Sequence, residues 1–434
     1  MDIYSKSDHL GESLEKAWIG MYEELIASMS FEFDGNTYSR NELLGLMNGT
    51  SVKLRHFAGS AYCEGADKYK NMFAIIYNSL LKLRTAKLQA EELNSIEQLV
   101  ASENGISTTD FATLLNAAEE GNGISRKYFE LKAKIFGVPQ ISYWDKFAPY
   151  IFSGSAKYYT EERTQKLVLN AFNAFSPEFA QIATRFFDEK LIDWHSRTKQ
   201  CTDNNKVAVN DKLPRIGLHF KSDLTGVFTL AHELGHGVHF CLSQKDNLAD
   251  NASTKALREA FAIFAEMLVF DAIKAESVSE KKAVTAFYLE RIIRSVMENI
   301  NRYRFEAFAY EQCKKGYIAP SEFADKWAET MSSHLGKSVN TADIANNWAY
   351  TQSYFTNPLC VQNDAIATCI ALGLFKTYKE KPCGFTATYM HTLKASANES
   401  FDKVLKKFGL STDALWNSAF AIIGNRFAEF EKLF

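Results

Sequence analysis

Two histidines and a glutamate in one short stretch of the chain have the spacing of a metal site. Residues 227 to 242 contain the pattern H-E-x-x-H, with His232, Glu233 and His236 at its fixed positions. Apolar residues recur there at three- and four-residue steps, which predicts an amphipathic helix. Side chains four positions apart on a helix point the same way, so both imidazoles can hold one metal ion through neutral ring nitrogens. Glu233 can then reach a water at the metal without ligating it, which is the arrangement that a zinc peptidase needs.

The predicted helix needs a close neighbour that supplies a third ligand. Gly235 indicates that another element packs against it, because glycine costs about 1 kcal/mol relative to alanine in a helix. A second helix is predicted from 255 to 272, after a turn-like segment from 247 to 253 and an N-cap at Ser253 or Thr254.

Two glutamates of the second helix are candidates for the third ligand. Glu259 and Glu266 are seven positions apart, so both fall near one face of a largely apolar helix. Carboxylates are rarely buried without a partner or a metal, and one of the two facing the metal would explain their presence. The alternative, a solvated charged face, fits Glu266 better than Glu259.

The region before the first helix predicts two short strands. Lys206–Val209 and Arg215–Phe220 combine β-branched or aromatic residues with polar turns. Strands at this place can present an edge to an extended peptide, or they can form a surface hairpin. The pattern alone leaves both open.

The two helices together resemble a known family. The run from Thr229 to His239, followed by Glu259, six further residues and Glu266, is similar to the oligoendopeptidase F branch of the thimet oligopeptidase family. Members of this family are zinc metallopeptidases of the gluzincin type. The resemblance extends over roughly residues 10 to 430 and implies a multi-helical fold of two lobes around a deep central cleft.

The resemblance implies a role for each residue of the motif. His232, His236 and Glu259 would hold one Zn²⁺ per chain, although this ligand set also suits cobalt or manganese. Glu233 would be the general base. His239 matches a histidine often found just after the family's motif, and its role is either a capping or core position or a substrate contact.

A loop from Trp348 to Ala367 departs from the family's pattern. In the family this loop supplies a histidine and several tyrosines that donate hydrogen bonds to the oxyanion and the substrate. Those donors are replaced here by Ser353, Cys360, Gln362 and Asp364. Tyr350 and Tyr354 are therefore predicted to bind substrate in their place, with Gln362 as a weaker donor. Losing an oxyanion donor typically costs 10²–10³ in turnover.

The whole chain predicts a mostly α-helical protein with a small β-sheet beside the metal helix. Only 7 Pro and 22 Gly, against 33 Phe and 19 Tyr in 434 residues, favour long helices with aromatic packing. We expect an N-terminal helical lobe over 1–200 and a zinc-binding region with C-terminal helices over 201–434, the two being intertwined. The helices predicted outside the metal site include Leu14–Met29, Ser39–Met47, Lys68–Ala90, Glu91–Glu103, Thr108–Glu119 and Val278–Cys313, with breaks at Asp34–Asn36 and Glu120–Gly123.

Composition narrows the partners and the compartment. The formal net charge of -3 argues against nucleic acid or an anionic membrane as the main partner. The 7 Cys form no C-x-x-C pair, which favours free thiols in a reducing compartment. The first residues lack an apolar leader, and no run of eighteen apolar residues occurs, so a cytoplasmic protein without a membrane span is expected.

Two functions fit these observations. The first is a zinc endopeptidase that hydrolyses short, unfolded oligopeptides. The second is a zinc-containing peptide-binding or regulatory protein with weak or no turnover, which retention of Glu233 argues against, because binding alone needs no base. A helical scaffold with an accidental motif would bind no zinc. Family members are usually longer at the N-terminus, so either the channel is more open here or a second subunit, as in a homodimer, supplies the missing wall.

Overall fold

The computed structural model describes most of the chain. It covers residues 3–93, 95–150, 152, 158–196, 206–210, 213–243, 254–395 and 401–434. The turn predicted from 247 to 253, the alternative N-cap Ser253 and Cys201 lie outside these ranges. No helix among the described residues is long and apolar enough to cross a membrane.

The protein is mostly α-helical, as the sequence predicts. In chain order the helices are α1 (Ile3–Ser28), α2 (Arg40–Met47), α3 (Val52–Ala90), α4 (Ile96–Asn104), α5 (Thr108–Phe136), α6 (Glu161–Phe175), α7 (Pro177–Asp188), α8 (Leu224–Ser243), α9 (Lys255–Ala272), α10 (Val278–Ile293), α11 (Asn299–Cys313), α12 (Pro320–Leu335), α13 (Gln352–Thr356), α14 (Val361–Glu380), α15 (Phe385–Ala395), α16 (Phe401–Lys407) and α17 (Thr412–Glu431). A π-helical turn, Arg294–Glu298, joins α10 to α11.

Three small sheets accompany the helices in the described part of the chain. The strands are β1 (Ser30–Phe33), β2 (Asn36–Ser39), β3 (Ile141–Ser142), β4 (Ile192–Asp193), β5 (Lys206–Asn210), β6 (Leu213–Gly217) and β7 (Val339–Asn340). β1 pairs with β2, β3 pairs with β7, and the third sheet has the order β4-β6-β5. In this third sheet β5 and β6 are antiparallel, whereas β4 and β6 are parallel.

The chain divides into two compact units whose segments alternate along the sequence. The first unit comprises Met1–Val100, Glu119–Pro149 and Met297–Gln362, and the second comprises Ala101–Ala118, Tyr150–Val296 and Asn363–Phe434. The predicted division into 1–200 and 201–434, with intertwined lobes, stays a prediction, as does the deep cleft.

An aromatic core fills the first unit. Trp348 and Phe355 are fully buried, and the Trp348 ring lies 4.6 Å from that of Phe323 on α12. Tyr22 on α1 stacks on Phe355 with ring centroids 3.9 Å apart. Burial of large rings at this density explains how a unit with few strands is held together.

The predicted break at Glu120–Gly123 is wrong, because α5 continues through it to Phe136. Asn122 is fully buried there. Its side chain donates a hydrogen bond to Ser333 Oγ and accepts one from Asn301 Nδ2, both at 2.9 Å. These contacts outweigh the cost of two glycines in the helix.

Other boundaries also differ from prediction. α3 begins at Val52, sixteen residues before the predicted start, and the predicted break at Asp34–Asn36 is the turn of the β1–β2 hairpin. Asp34 and Gly35 both have positive φ, 54° and 78°, as a two-residue hairpin turn requires. The predicted helix Val278–Cys313 is helical throughout, with the π-helical turn inside it.

Candidate metal centre

The second unit brings the two predicted metal helices together. α8 begins after Asp223, whose carboxylate accepts hydrogen bonds from the backbone N–H groups of Thr225 (2.7 Å) and Gly226 (3.3 Å). α9 begins after Thr254, whose hydroxyl accepts from Leu257 N at 3.3 Å. Thr254 is thus the N-cap, one of the two that the sequence allows.

Gly235 permits the close approach of α8 to α9. A Cβ atom built there would lie 2.9 Å from Ala262 Cα and 3.0 Å from Ala265 Cβ. The first separation is shorter than real Cβ contacts and the second is unusually tight, so any larger residue would require a shift of one helix. The sequence prediction that another element packs tightly at this position is confirmed.

Three of the predicted ligands meet across this helix pair. The Nε2 atoms of His232 and His236 lie 3.1 Å apart. Glu259 Oε2 lies 3.3 Å from the first and 3.4 Å from the second. Each of the three side chains keeps 21 to 25% of its surface exposed. Within the described residues, this group is the one whose His, Cys, Asp and Glu side chains could hold a metal ion.

The spacing of the three donor atoms suits zinc. Ligand distances of about 2.0–2.2 Å in a tetrahedron place the ligand atoms about 3.3–3.6 Å apart. The observed separations of 3.1, 3.3 and 3.4 Å agree with this to within about 0.2 Å. Two imidazole nitrogens and one carboxylate also leave a fourth position open. The residues present therefore fit a zinc ion.

His232 contacts carboxylates with both of its ring nitrogens. Nδ1 lies 2.7 Å from Glu266 Oε1, and Nε2 faces Glu259. Burial by itself would lower the pKa of His232, but the hydrogen bonds and charges of the two glutamates outweigh it and raise the pKa to about 10. For Glu259, burial favours the neutral form, yet the hydrogen bonds to His232 and His236 lower its pKa. Binding of a metal cation to this cluster would release the proton from the histidines.

Glu266 is buried and is not part of a solvated face. Only 3% of the residue is exposed. Its Oε2 accepts hydrogen bonds from Arg291 on α10, from Nη2 at 2.5 Å and from Nε at 3.1 Å. Burial opposes ionisation, but the charge of Arg291 and the hydrogen bond to His232 lower the pKa of Glu266. The alternative of a solvated face, which the sequence left open for this residue, is therefore wrong.

Glu233 lies between the two histidines along α8 and is 8% exposed. Burial is the largest cause of its raised pKa, opposed by the charges of His232 and His236. A carboxylate whose pKa is raised is a better proton acceptor at neutral pH than an ordinary one. The position and the environment both suit a general base.

His239 points into the core of the second unit. It is 4% exposed, and its ring packs edge-on against Phe261 with centroids 5.1 Å apart. Burial lowers its pKa to about 3, so the imidazole is neutral. Of the two roles that the sequence left open, these contacts favour the core position.

Tyr350 and Tyr354 lie in the first unit, and both are buried. The Tyr354 hydroxyl donates a hydrogen bond to Arg302 O at 2.8 Å, and the Tyr350 hydroxyl lies 3.9 Å from the Met29 sulfur. A substrate contact would require either hydroxyl to leave these partners. Their assignment as substrate-binding residues stays a prediction.

Sequence reasoning missed the contribution of Arg291. The sequence did indicate Glu266, through its seven-residue spacing from Glu259 on an apolar helix. No sequence pattern indicates Arg291, because it lies on α10, and only tertiary packing brings that helix next to α9. Its guanidinium carbon lies 5.8 Å from the ring centre of Phe228, a buried residue of α8. Arg291 on α10 therefore contacts both α8 and α9.

Comparison with known proteins points to one family. The model of "Peptidase family M3" matches residues 46–414. The chain is 22% identical over 408 residues to an oligoendopeptidase F homolog of Lactococcus lactis, and the match covers 89% of this chain and 65% of the relative. The chain thus spans about two thirds of that relative's length.

Solved structures share the fold. A protein of Chlamydophila abortus superposes with a TM-score of 0.84 at 19% identity, covering 100% of this chain and 75% of the other. Oligoendopeptidase F of Enterococcus faecium superposes with a TM-score of 0.74 at 18% identity, covering 97% and 72%. The predicted multi-helical peptidase fold with small sheets is confirmed.

Proposed function

The chain belongs to peptidase family M3, and from this premise we propose that it is a zinc-dependent endopeptidase that hydrolyses short, unfolded oligopeptides. The observation that carries the proposal is the meeting of His232, His236 and Glu259 at 3.1 to 3.4 Å, with the buried Glu233 between the two histidines. Family membership implies a metal cofactor. One zinc ion per chain is the finer proposal.

His232 and His236 would bind the ion through Nε2, and Glu259 through a carboxylate oxygen. Bound zinc supplies Lewis acidity, which polarises a peptide carbonyl and lowers the pKa of a nearby water. The protein holds the three donors on two tightly packed helices, so little reorganisation is needed on binding.

Glu233 would act as the general base. It takes a proton from the attacking water and gives it to the leaving amine. Its raised pKa supports both steps, because the group must accept and then release a proton near neutral pH. Burial also excludes bulk water that would otherwise compete for the same carboxylate.

An extended peptide is the substrate form that the second unit could hold. The sheet order β4-β6-β5 leaves one edge of β5 without a strand partner among the described residues. Backbone hydrogen bonds from such an edge bind an extended chain with little regard to side chains. The oligopeptide class also follows from the names of the relatives. Contacts from Tyr350 and Tyr354 remain part of the proposal.

The compartment and the assembly are also proposed. Six cysteines within the described ranges are free thiols, which suits a reducing compartment such as the cytoplasm. For the assembly, we propose a homodimer. Light scattering of the purified protein would report a mass near twice the chain mass of 49.0 kDa if the dimer forms, and near that mass if it does not.

Turnover of a quenched fluorescent peptide library by protein of known zinc content tests the proposed function. We expect cleavage that requires one equivalent of zinc. Glu233→Gln should keep the zinc and lose about 10²–10⁴ in turnover, because the general base is removed while the ligands stay.

Glu280→Gln is a matched control for this experiment. Glu280 is also a buried carboxylate of the second unit, but it accepts a hydrogen bond from Glu276 N at 2.7 Å and stands at the start of α10. Its turnover should stay near that of the wild type. Stoichiometric zinc without turnover in the wild type would instead support the peptide-binding alternative, and absence of zinc would overturn both.

A further inference from the structure

Glu266 is a buried, hydrogen-bonded carboxylate beside the proposed metal ligands, and the proposed function gives it no role. Glu266 lies two turns beyond Glu259 on α9 and is 3% exposed. Its two oxygens have different partners: Oε1 lies 2.7 Å from Nδ1 of His232, and Oε2 accepts from Arg291. The carboxylate therefore connects a proposed metal ligand to a cation on a third helix.

The contact with Glu266 determines which nitrogen of His232 carries the proton. An ionised carboxylate accepts hydrogen bonds and cannot donate them, so Nδ1 must be the N–H donor. An imidazole that binds a metal is neutral and has a single N–H, so with that hydrogen on Nδ1 the lone pair is on Nε2. Nε2 is the atom that lies 3.1 Å from His236 Nε2 and 3.3 Å from Glu259 Oε2. The lone pair is thus directed where a metal would bind.

Arg291 holds Glu266 in place. A carboxylate buried in a protein is usually bonded to a cation or to several hydrogen-bond donors, and Arg291 supplies that partner here. Arg291 donates from Nε at 3.1 Å and from Nη2 at 2.5 Å to the same oxygen, so that oxygen cannot turn towards His232. The arginine side chain is 37% exposed whereas the glutamate side chain is 4% exposed. Arg291 therefore reaches the solvent, and Glu266 lies behind it in the interior.

We infer that Glu266 and Arg291 are positioning residues that act in series: Arg291 fixes Glu266, and Glu266 fixes the tautomer and the ring orientation of His232 for metal binding. The inference rests on the proposed metal site, but it does not depend on peptidase activity. If the series exists, the two residues contribute to metal affinity through one route. Their effects are then not additive.

Zinc affinity, measured by competition with a chromogenic chelator, tests the series. Glu266→Gln keeps an acceptor oxygen but removes the charge, and we expect the Kd for zinc to rise about tenfold. Glu266→Leu removes the acceptor as well, and its Kd should rise about a hundredfold. Arg291→Met should raise the Kd about tenfold, and Arg291→Lys should recover part of that loss.

The double variant gives the sharpest result. In the Glu266→Leu background, Arg291→Met should change the Kd less than twofold, because the route is already broken. Glu280→Gln, which removes a buried charge elsewhere on α10, should leave the Kd unchanged. Independent, additive effects of positions 266 and 291 would overturn the inference, as would a wild-type Kd in Glu266→Leu. Should that variant fail to fold, Glu266→Gln with Arg291→Met supplies the same comparison.

A measurement on metal-free protein separates this inference from the proposed function. In ¹⁵N-histidine-labelled wild type, the Nδ1–H of His232 should give a downfield proton signal that exchanges slowly with water. The signal should be absent from Glu266→Leu and weaker in Arg291→Met. If the wild type binds no zinc, the proposed function fails, yet this signal still tests the hydrogen bond. Its absence from the wild type would overturn the inference.

Discussion

His239 shows how the environment of one residue decides between two roles. It follows the metal motif by three positions on α8, and by sequence it could contact substrate or fill the core. Its ring is neutral, buried and packed edge-on against Phe261. A neutral buried imidazole contributes packing and hydrogen bonding, not charge.

We expect His239→Asn to lower stability without removing the metal. The loss of a buried ring should lower the melting temperature, whereas the Kd for zinc should change less than twofold, because His232 and His236 keep their positions. His236→Ala is the matched variant on the same helix and should abolish zinc binding. A tenfold rise in KM for His239→Asn with unchanged melting temperature would instead assign it to substrate.

Glu306 in the first unit makes stability depend on pH. It is fully buried on α11, and its Oε1 accepts a hydrogen bond from Leu359 N at 2.8 Å. Burial raises its pKa from 4.5 to about 7. The unfolded chain therefore releases this proton at lower pH than the folded protein does. The stability contributed is complete below pH 4.5 and is lost as the pH rises through about 7.

Glu306→Gln should remove this dependence, since the amide keeps the acceptor oxygen and never ionises. Relative to the wild type, its free energy of unfolding in urea should rise by roughly 3 kcal/mol between pH 4.5 and pH 8. Glu311→Gln, on the same helix with a side chain that is 53% exposed, is the control and should show no such rise. A constant difference between Glu306→Gln and the wild type over this range would contradict the prediction.

At the scale of elements, the α8–α9 contact determines the metal site. His232 and His236 lie on one helix and Glu259 on the other, so the distance between the helices determines whether three donors can share one ion. Gly235 sets that distance, because its missing side chain lets Ala262 and Ala265 approach. The site is therefore sensitive to a change of one methyl group at a position that binds nothing.

We expect Gly235→Ala to weaken zinc binding and to destabilise the second unit. Overpacking costs about 1–3 kcal/mol, and the better helix propensity of alanine returns only about 1 kcal/mol. Adding Ala265→Gly to this variant should recover part of both losses, because it removes one of the two clashes. Zinc Kd and thermal melting measure the two effects.

Gly20→Ala is the control for helix propensity. A Cβ atom at Gly20 on α1 would meet none of the described residues within 4 Å. This substitution should therefore raise stability slightly and leave zinc binding unchanged. If Gly235→Ala behaved like Gly20→Ala, close packing would not be the reason for glycine at position 235.

The elements that the sequence predicts correctly are those specified by local spacing. The periodicity around His232, the i+4 spacing of His236 and the helix containing Glu259 are local patterns, and each is found in the structure. The β-branched and aromatic residues also predict β5 and β6, although β6 runs from Leu213 to Gly217 and the predicted strand runs from Arg215 to Phe220. Local periodicity is the strongest signal that a single sequence carries.

The elements that the sequence misses depend on distant contacts. The sequence predicts a start of α3 at Lys68, which is too late, because glycines interrupt the apolar pattern before it. Gly59 lies in that helix, and a Cβ atom there would lie 2.1 Å from the Trp144 ring, so the ring takes the place of a side chain. Arg291 reaches Glu266 only through the packing of α10. Both contacts join residues that are far apart in the sequence, so no local pattern predicts them.

At the scale of the whole molecule, all proposed metal ligands belong to the second of the two compact units. His232, His236 and Glu259 fall within Tyr150–Val296, together with Glu266 and Arg291. A ligand that binds only the folded state stabilises that state by mass action, by about 4 kcal/mol at a thousand times its Kd. The stabilisation acts first on the elements that carry the ligands.

We therefore expect removal of zinc to loosen the second unit more than the first. Hydrogen exchange measured by mass spectrometry, before and after chelation, should speed up in α8 and α9, whose facing carboxylates and histidines then lose their common cation. Exchange in α12, a helix of the first unit with the fully buried Trp327, should change little. The variant His232→Ala/His236→Ala controls for direct effects of the chelator and should show no response. Equal acceleration in both units would mean that metal binding stabilises the whole chain as one cooperative body.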